Sequence, residues 1–288
     1  MRKLLPSTAV SAVAVIAILL VAGNLAAAQA GPAMLVADVA RHSATSPDDN
    51  PDLNNKTVTV SCPANTKLYS ASGRINNGLG HVTMDDIVPH ADLTAVTVLA
   101  YETDAYDEPW TVTAFAICGS ATPNLQRIVF TSPSDAVSPK IARAGCPPGT
   151  KLYGLGGKVS GAPGRVFLDD LIPDIGLNFA EVKAYENEAD PDWSVTAYAI
   201  CGNPAATMQR VTAADGPRAA VGLTVDSPAC PAGTRLHGVG GEIIDGFGDV
   251  VLDDLTPNGA LTAATVTGYT SGGADRTWSV RSYGICSS

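Results

Sequence analysis

The sequence predicts an all-β fold made of three tandem repeats, and three observations carry that prediction. Cys62, Cys146 and Cys230 recur at an 84-residue period, and Cys118, Cys201 and Cys286 close the same units. Around the first set stand "CPANTKLYSASGRI", "CPPGTKLYGLGGKV" and "CPAGTRLHGVGGEI"; around the second stand "WTVTAFAICG", "WSVTAYAICG" and "WSVRSYGICS". Apolar residues alternate instead of recurring at helical spacing. In "WSVTAYAIC" the set Trp193, Val195, Ala197, Ala199 and Cys201 shares one face, and Ser194, Thr196, Tyr198 and Ile200 share the other. Gly, Pro, Asn and Asp clusters end each run at the interval expected of short strands joined by turns.

The chain opens with Arg2 and Lys3, an apolar run from Ala9 to Ala22, and Ala-Gln-Ala at 28–30. That order is a secretory signal peptide over 1–30, its apolar run too short for the ~20 residues that span a bilayer. The expected mature chain is secreted and extracellular, with no membrane span left after removal of the leader. The formal charge of the whole chain is −10, and the leader takes away basic residues only. An acidic exported chain is repelled by phosphate backbones and anionic membranes, so nucleic acid is excluded as a partner.

Repeat one is expected over 31–120, repeat two over 121–203 and repeat three over 204–288. A degraded copy of the joining segment, "MLVADVARHSATSPDD", opens repeat one. Repeat two sets the pattern, with strands over 151–159, 165–172, 180–187 and 193–201 and one or two weaker strands in the joining segment. Two architectures fit. The units close around one pseudo-threefold axis as a disulfide-stapled, β-prism-like body, or each forms its own small β-sandwich in a row, which a unit of this size can support with a disulfide. Gly156-Gly157, Gly240-Gly241 and the short joins favour the prism.

Six cysteines in an exported chain imply three disulfides, and six allow fifteen pairings. Threefold repetition leaves two: within units as Cys62–Cys118, Cys146–Cys201 and Cys230–Cys286, or between neighbours as Cys118–Cys146, Cys201–Cys230 and Cys62–Cys286. Pairing within units is favoured, because each unit then carries its own staple through duplication. Each loop contributes about 4 kcal/mol in the chain-entropy model.

An Asp pair recurs in "VTMDDIVPH", "VFLDDLIPD" and "VVLDDLTPN". In a regular strand the two side chains point to opposite faces and cannot grip one ion together. Calcium would need a bulge and more oxygen ligands, and Glu102 and Glu186 are matched only by Thr270 in repeat three. The leading reading is structural: Asp86, Asp170 and Asp254 cap the turns at Pro89, Pro173 and Pro257, with Arg127 and Arg210 as candidate ion-pair partners. Three equivalent pairs do not read as a catalytic site, and no cofactor or metal is expected. His42, His81, His90 and His237 recur in no register and read as surface residues; no G-x-S-x-G elbow is present.

Trp110, Trp193 and Trp278 each begin the last strand of a unit after a polar loop, "DAYDEP", "NEADPD" or "GGADRT". Their face is that of Val195 and Cys201, which reads as a core anchor. The alternative is a carbohydrate platform, with Asp107, Asp192 and Asp275 as neighbouring acceptors on loops, where binding residues concentrate. The expected function is a secreted, non-enzymatic protein binding carbohydrate or a cell-envelope component; the rivals are a structural or protein-interaction module and an exported glycoside hydrolase. The sequence sets no oligomeric state.

The words "CPAGT", "LDDLTPNGALT" and "WSVTAYAIC" resemble those of uncharacterised secreted three-repeat proteins of streptomycetes and their actinobacterial relatives, over nearly all of the mature chain. That resemblance implies no activity. The Cys-Pro segments, glycines and Asp-Asp words are also similar to the vitelline membrane outer layer protein family, which implies a β-prism. The order Asp-Asp-Leu-Thr-Pro-Asn, and His90 in place of Asn in repeat one, depart from that family's pattern.

Overall fold

A computed structural model describes residues 39–47, 54–187, 192–272 and 276–288; the leader expected at 1–30 lies outside them. Repeat one forms β1 (Ala40–Thr45), β2 (Asn55–Ser61), β3 (Lys67–Asn76), β4 (Val82–Pro89), β5 (Ala95–Glu102) and β6 (Thr111–Gly119). Repeat two forms β7 (Gln126–Thr131), β8 (Lys140–Gly145), β9 (Lys151–Ser160), β10 (Val166–Pro173), β11 (Phe179–Glu186) and β12 (Ser194–Gly202). Repeat three forms β13 (Met208–Ala219), β14 (Gly222–Asp226), β15 (Arg235–Ile244), β16 (Val250–Pro257), β17 (Ala264–Thr270) and β18 (Thr277–Ser287). The four main strands expected in repeat two fall within one residue of their expected bounds, and both joining strands are present. Along β2 every second residue is buried, as alternation on a half-buried strand requires.

The strands form three antiparallel sheets in the orders β1-β6-β3-β16-β17-β14, β2-β5-β4-β9-β12-β7 and β13-β18-β15-β10-β11-β8. Each repeat therefore splits into two three-stranded halves and gives them to different sheets. Repeats one and two share a sheet, as do two and three, and as do three and one, so the ring closes. A row of independent sandwiches is ruled out, because no repeat owns a complete sheet.

Neighbouring repeats meet mid-sheet along short seams: Asp86↔Lys158 and Ile87↔Gly157 between β4 and β9, Asp170↔Glu242 and Leu171↔Gly241 between β10 and β15, and Asp254↔Arg74 between β16 and β3. The glycine pairs explain the close approach. A Cβ on Gly156 would stand 2.3 Å from the Ile87 carbonyl oxygen, and one on Gly240 would stand 2.4 Å from that of Leu171. Ser72 occupies the matching position at the third seam, where the ladder is one residue pair shorter.

The three disulfides are Cys62–Cys118, Cys146–Cys201 and Cys230–Cys286, each with Cα atoms 5.6 Å apart. Cys62 follows β2 and Cys118 lies on β6, strands of different sheets, so each bridge ties the two halves of its own repeat. Three such bridges belong to an oxidising compartment. Tyr69, Tyr153 and His237, one from each repeat, meet with ring centroids 5.1 to 5.7 Å apart. His237 is fully buried, which corrects its reading as a surface residue: it takes the place of a third tyrosine in this aromatic triad.

Candidate functional site

Trp110, Trp193 and Trp278 are all 0% exposed. They are the core anchors of their units, and no ring face is open to a sugar. The Trp110 indole N–H donates to Glu102 Oε1 at 2.7 Å and that of Trp278 to the Ala220 carbonyl at 3.0 Å. The ammonium groups of Lys56 and Lys140 sit 4.5 and 4.6 Å from the Trp110 and Trp193 ring centres. Asp107 and Asp192 are exposed beside buried rings, and Asp275 lies outside the described residues. Burial on the inward face of the last strand thus overrides the loop that precedes each Trp.

The Asp pairs differ from expectation in another way. Register shifts fall between Met84 and Asp86, Leu168 and Asp170, and Leu252 and Asp254, so each pair sits in a β-bulge within its strand. A bulge adds one residue and breaks strict alternation, which removes the argument that the two carboxyls must oppose each other. Asp86, Asp170 and Asp254 do not cap turns, because their strands run on through the prolines. The turns are held by the residues after the prolines: Asp174 Oδ2 accepts from the Asn178 N–H, Asn258 Oδ1 from the Thr262 N–H, and in repeat one Asp92 Oδ1 from the Thr94 N–H.

Arg127 and Arg210 do not pair with the Asp residues either. They donate to the carbonyls of Pro89 and Pro173 at 2.6 and 2.8 Å while lying over Tyr198 and Tyr283. Arg41 donates to the Pro257 carbonyl at 2.9 Å over Phe115. The degraded segment that opens repeat one therefore supplies the third copy of the same clamp.

The Asp pairs face cations across or beside the seams. Asp86 meets Lys158 at 2.8 Å and Asp254 meets Arg74 at 3.6 Å. At the second seam Glu242 stands where the others have a cation, and Lys183 on β11 approaches Asp170 at 3.4 Å and Asp169 at 3.8 Å. Burial, and then the neighbouring Asp86 charge, pushes the Asp85 carboxyl up to about 8. Burial likewise pushes Asp169 and Asp253 well above the carboxylate range, and Asp170 up to about 6 against the pull of Lys183. Among the described residues no three His, Cys, Asp or Glu side chains gather as a metal site requires, and Lys158, Lys183 and Arg74 already supply positive charge beside the pairs.

One recurring residue beside these pairs was not singled out from sequence: Tyr101, Tyr185 and Tyr269, partly exposed at the ends of β5, β11 and β17. Tyr101 is the register partner of Thr83 and Tyr269 that of Val251, two positions before the bulged Asp85 and Asp253. Burial and then the nearby Asp carboxyls raise the hydroxyls of Tyr101 and Tyr269. The signal was legible, since the three tyrosines keep the 84-residue period in "VLAY", "VKAY" and "VTGY". Opposite them, loops of the neighbouring repeat come close: a Cβ on Gly164 would lie 2.5 Å from the Glu102 carbonyl oxygen, and one on Gly80 2.3 Å from that of Thr270. Both glycines have positive φ, 73° and 93°, which a side chain would strain. Each seam thus joins a tyrosine ring, a bulged Asp pair, a cation and a glycine loop. No family model matches the chain, and no curated protein matches it.

Proposed function

We propose that this chain is an exported, non-enzymatic β-prism that binds carbohydrate or a cell-envelope component on the seams of its sheets. The observation that carries the reading is the threefold recurrence of a partly exposed tyrosine beside buried carboxyls. An aromatic ring offers an apolar face and carboxyls offer hydrogen bonds, the combination with which pockets orient small polar ligands. The leader supports export, and the disulfides fit its destination. Glycoside hydrolysis is disfavoured by placement. Its two carboxyls flank the scissile bond, roughly 5–9 Å apart, whereas these are neighbours in one bulge and lie on one side of any ligand.

The test is a glycan array of bacterial and plant polysaccharides probed with the mature chain and with a Tyr101→Ala, Tyr185→Ala, Tyr269→Ala triple variant. Binding lost in the triple variant, with an unchanged melt, supports the reading; an array left blank by the wild type refutes it. A second reading, a protein-interaction module, has its own observation. Val129, Phe130, Val137 and Ile141 are 45 to 63% exposed on and beside the edge strands β7 and β8. The positions matching Val129, Phe130 and Ile141 in the other repeats are Ser43, Ala44 and Thr57, and Thr212, Ala213 and Thr224. A blank array leaves that module standing.

A further inference from the structure

The first and second seams are not equally open. Next to Asp85 lies a cavity of about 210 Å³ lined by Leu99, Tyr101, Lys158, Ser160, Ala162 and Pro163, among others. Asp85 is 4% exposed, and its Oδ1 has no hydrogen-bond partner among the described residues. At the second seam Phe247 replaces Pro163 and packs edge-on to Tyr185, with centroids 6.3 Å apart, while Lys183 replaces Leu99 and sits 4.5 Å from the centre of the same ring. Ile244 also replaces Ser160 there. At the third seam Leu79 stands at the Pro163 position and Asn76 at the Ser160 position. Repeat two alone places a short Ser-Gly-Ala-Pro turn, residues 160–163, over its neighbour's tyrosine.

We propose that the seam between repeats one and two is a binding pocket for a single neutral sugar residue, with Tyr101 as its ring platform and Asp85, Lys158 and Ser160 as its polar contacts. This rests on the carbohydrate reading above and narrows it to one site. Size sets the first limit: drug-sized ligands occupy pockets of roughly 300–1,000 Å³, so this smaller cavity takes one ring and not a chain. Charge sets the second. Lys158 is neutralised by Asp86 at 2.8 Å, and burial holds the Asp85 carboxyl in its protonated form near neutral pH. The site is therefore uncharged in sum and polar in detail. The Asp85 carboxyl shares a hydrogen bond with Asp86, so its unpartnered Oδ1 is left to accept from a sugar hydroxyl, where an anion would meet no free cation.

The experiment follows binding of the mature chain to a panel of glycans ending in neutral glucose, galactose, mannose or N-acetylglucosamine residues. Pro163→Phe imports the residue of the second seam at an exposed position, and Tyr101→Ala removes the platform; Phe247→Ala, at an exposed residue of the occluded seam that contacts no proposed ligand, is the control. Affinity for the bound glycan is expected to fall at least tenfold in the first two variants and to stay within twofold in the third, all three melting like the wild type. Retained binding in both Pro163→Phe and Tyr101→Ala, or loss in Phe247→Ala, overturns the one-pocket assignment while leaving carbohydrate binding intact. A panel that the wild type does not bind overturns both.

Discussion

Gly240→Ala tests whether seam closeness, and not the disulfides alone, holds the ring of repeats together. The new Cβ would sit 2.4 Å from the Leu171 carbonyl oxygen and 2.9 Å from Pro173 Cδ. Neither neighbour is the free end of a flexible side chain. The strands must part, and overpacking of this kind costs about 1–3 kcal/mol, more where backbone has to move. For a body of this size 1 kcal/mol shifts the melting temperature by about 2–4 °C, so a loss on the order of 5–10 °C is expected. Gly145→Ala is the control, because a Cβ there has nothing within 4 Å and its strand, β8, is a sheet edge. Differential scanning calorimetry of both variants and the wild type makes the comparison. If Gly240→Ala melts within a degree of Gly145→Ala, the seams are not tightly packed and the account of the glycine pairs is wrong.

Replacing Cys146 and Cys201 together by serine is expected to cost about 4 kcal/mol, since their loop spans 55 residues; a urea midpoint unchanged from the wild type would contradict it. The aromatic triad gives a pH prediction. Burial lowers His237 to about 4 from 6.5, so its contribution is fully present above pH 6.5 and is lost as pH falls towards 4, by about 3 kcal/mol. Asp85 acts oppositely: raised from 3.8 to about 8, it favours the folded state most below pH 4 and loses that contribution as pH rises through 8. His237→Tyr should therefore gain stability relative to the wild type between pH 6.5 and 4 in urea titrations, and a difference that does not change with pH refutes the assignment.

The 84-residue period made most of the fold readable. It located the main strands, the cysteine pairing and the inward face of Trp193, because alternation and duplication are local properties of the chain. Which sheet each half-repeat joins was not readable. Alternation says which side of a strand is buried and nothing about its neighbour, and Asp254 pairs with Arg74 from the far end of the chain. The bulges were hidden for a related reason: "LDDL" read as regular alternation puts its carboxyls on opposite faces, and only the partner strand reveals the extra residue. The tryptophans drew the carbohydrate alternative because a tryptophan after a polar loop is a large aromatic signal, and their burial closes it at those rings. The shared face of Trp193, Val195 and Cys201 already argued for burial.

The seams also show how duplicated sequence diverges under a charge constraint. Lys158, Glu242 and Arg74 occupy one equivalent position, and a reversed sign there leaves Asp170 facing another acid. The second seam compensates on both flanks. Lys183 stands where the other repeats have Leu99 and Thr267, and Arg281, 2.7 Å from Glu242, stands where they have Thr113 and Thr196. Counting the bulged Asp85, Asp169 and Asp253 as protonated, as their burial demands, each seam pairs its remaining acids with equal numbers of these cations. That balance suits burial, where an unpaired charge costs several kcal/mol. The same balance leaves the tyrosines of the first two seams in different surroundings. Lys183, one of the two cations that rebalance the second seam, lies over the ring of Tyr185, whereas the first seam needs only Lys158 and has Leu99 at that position beside Tyr101.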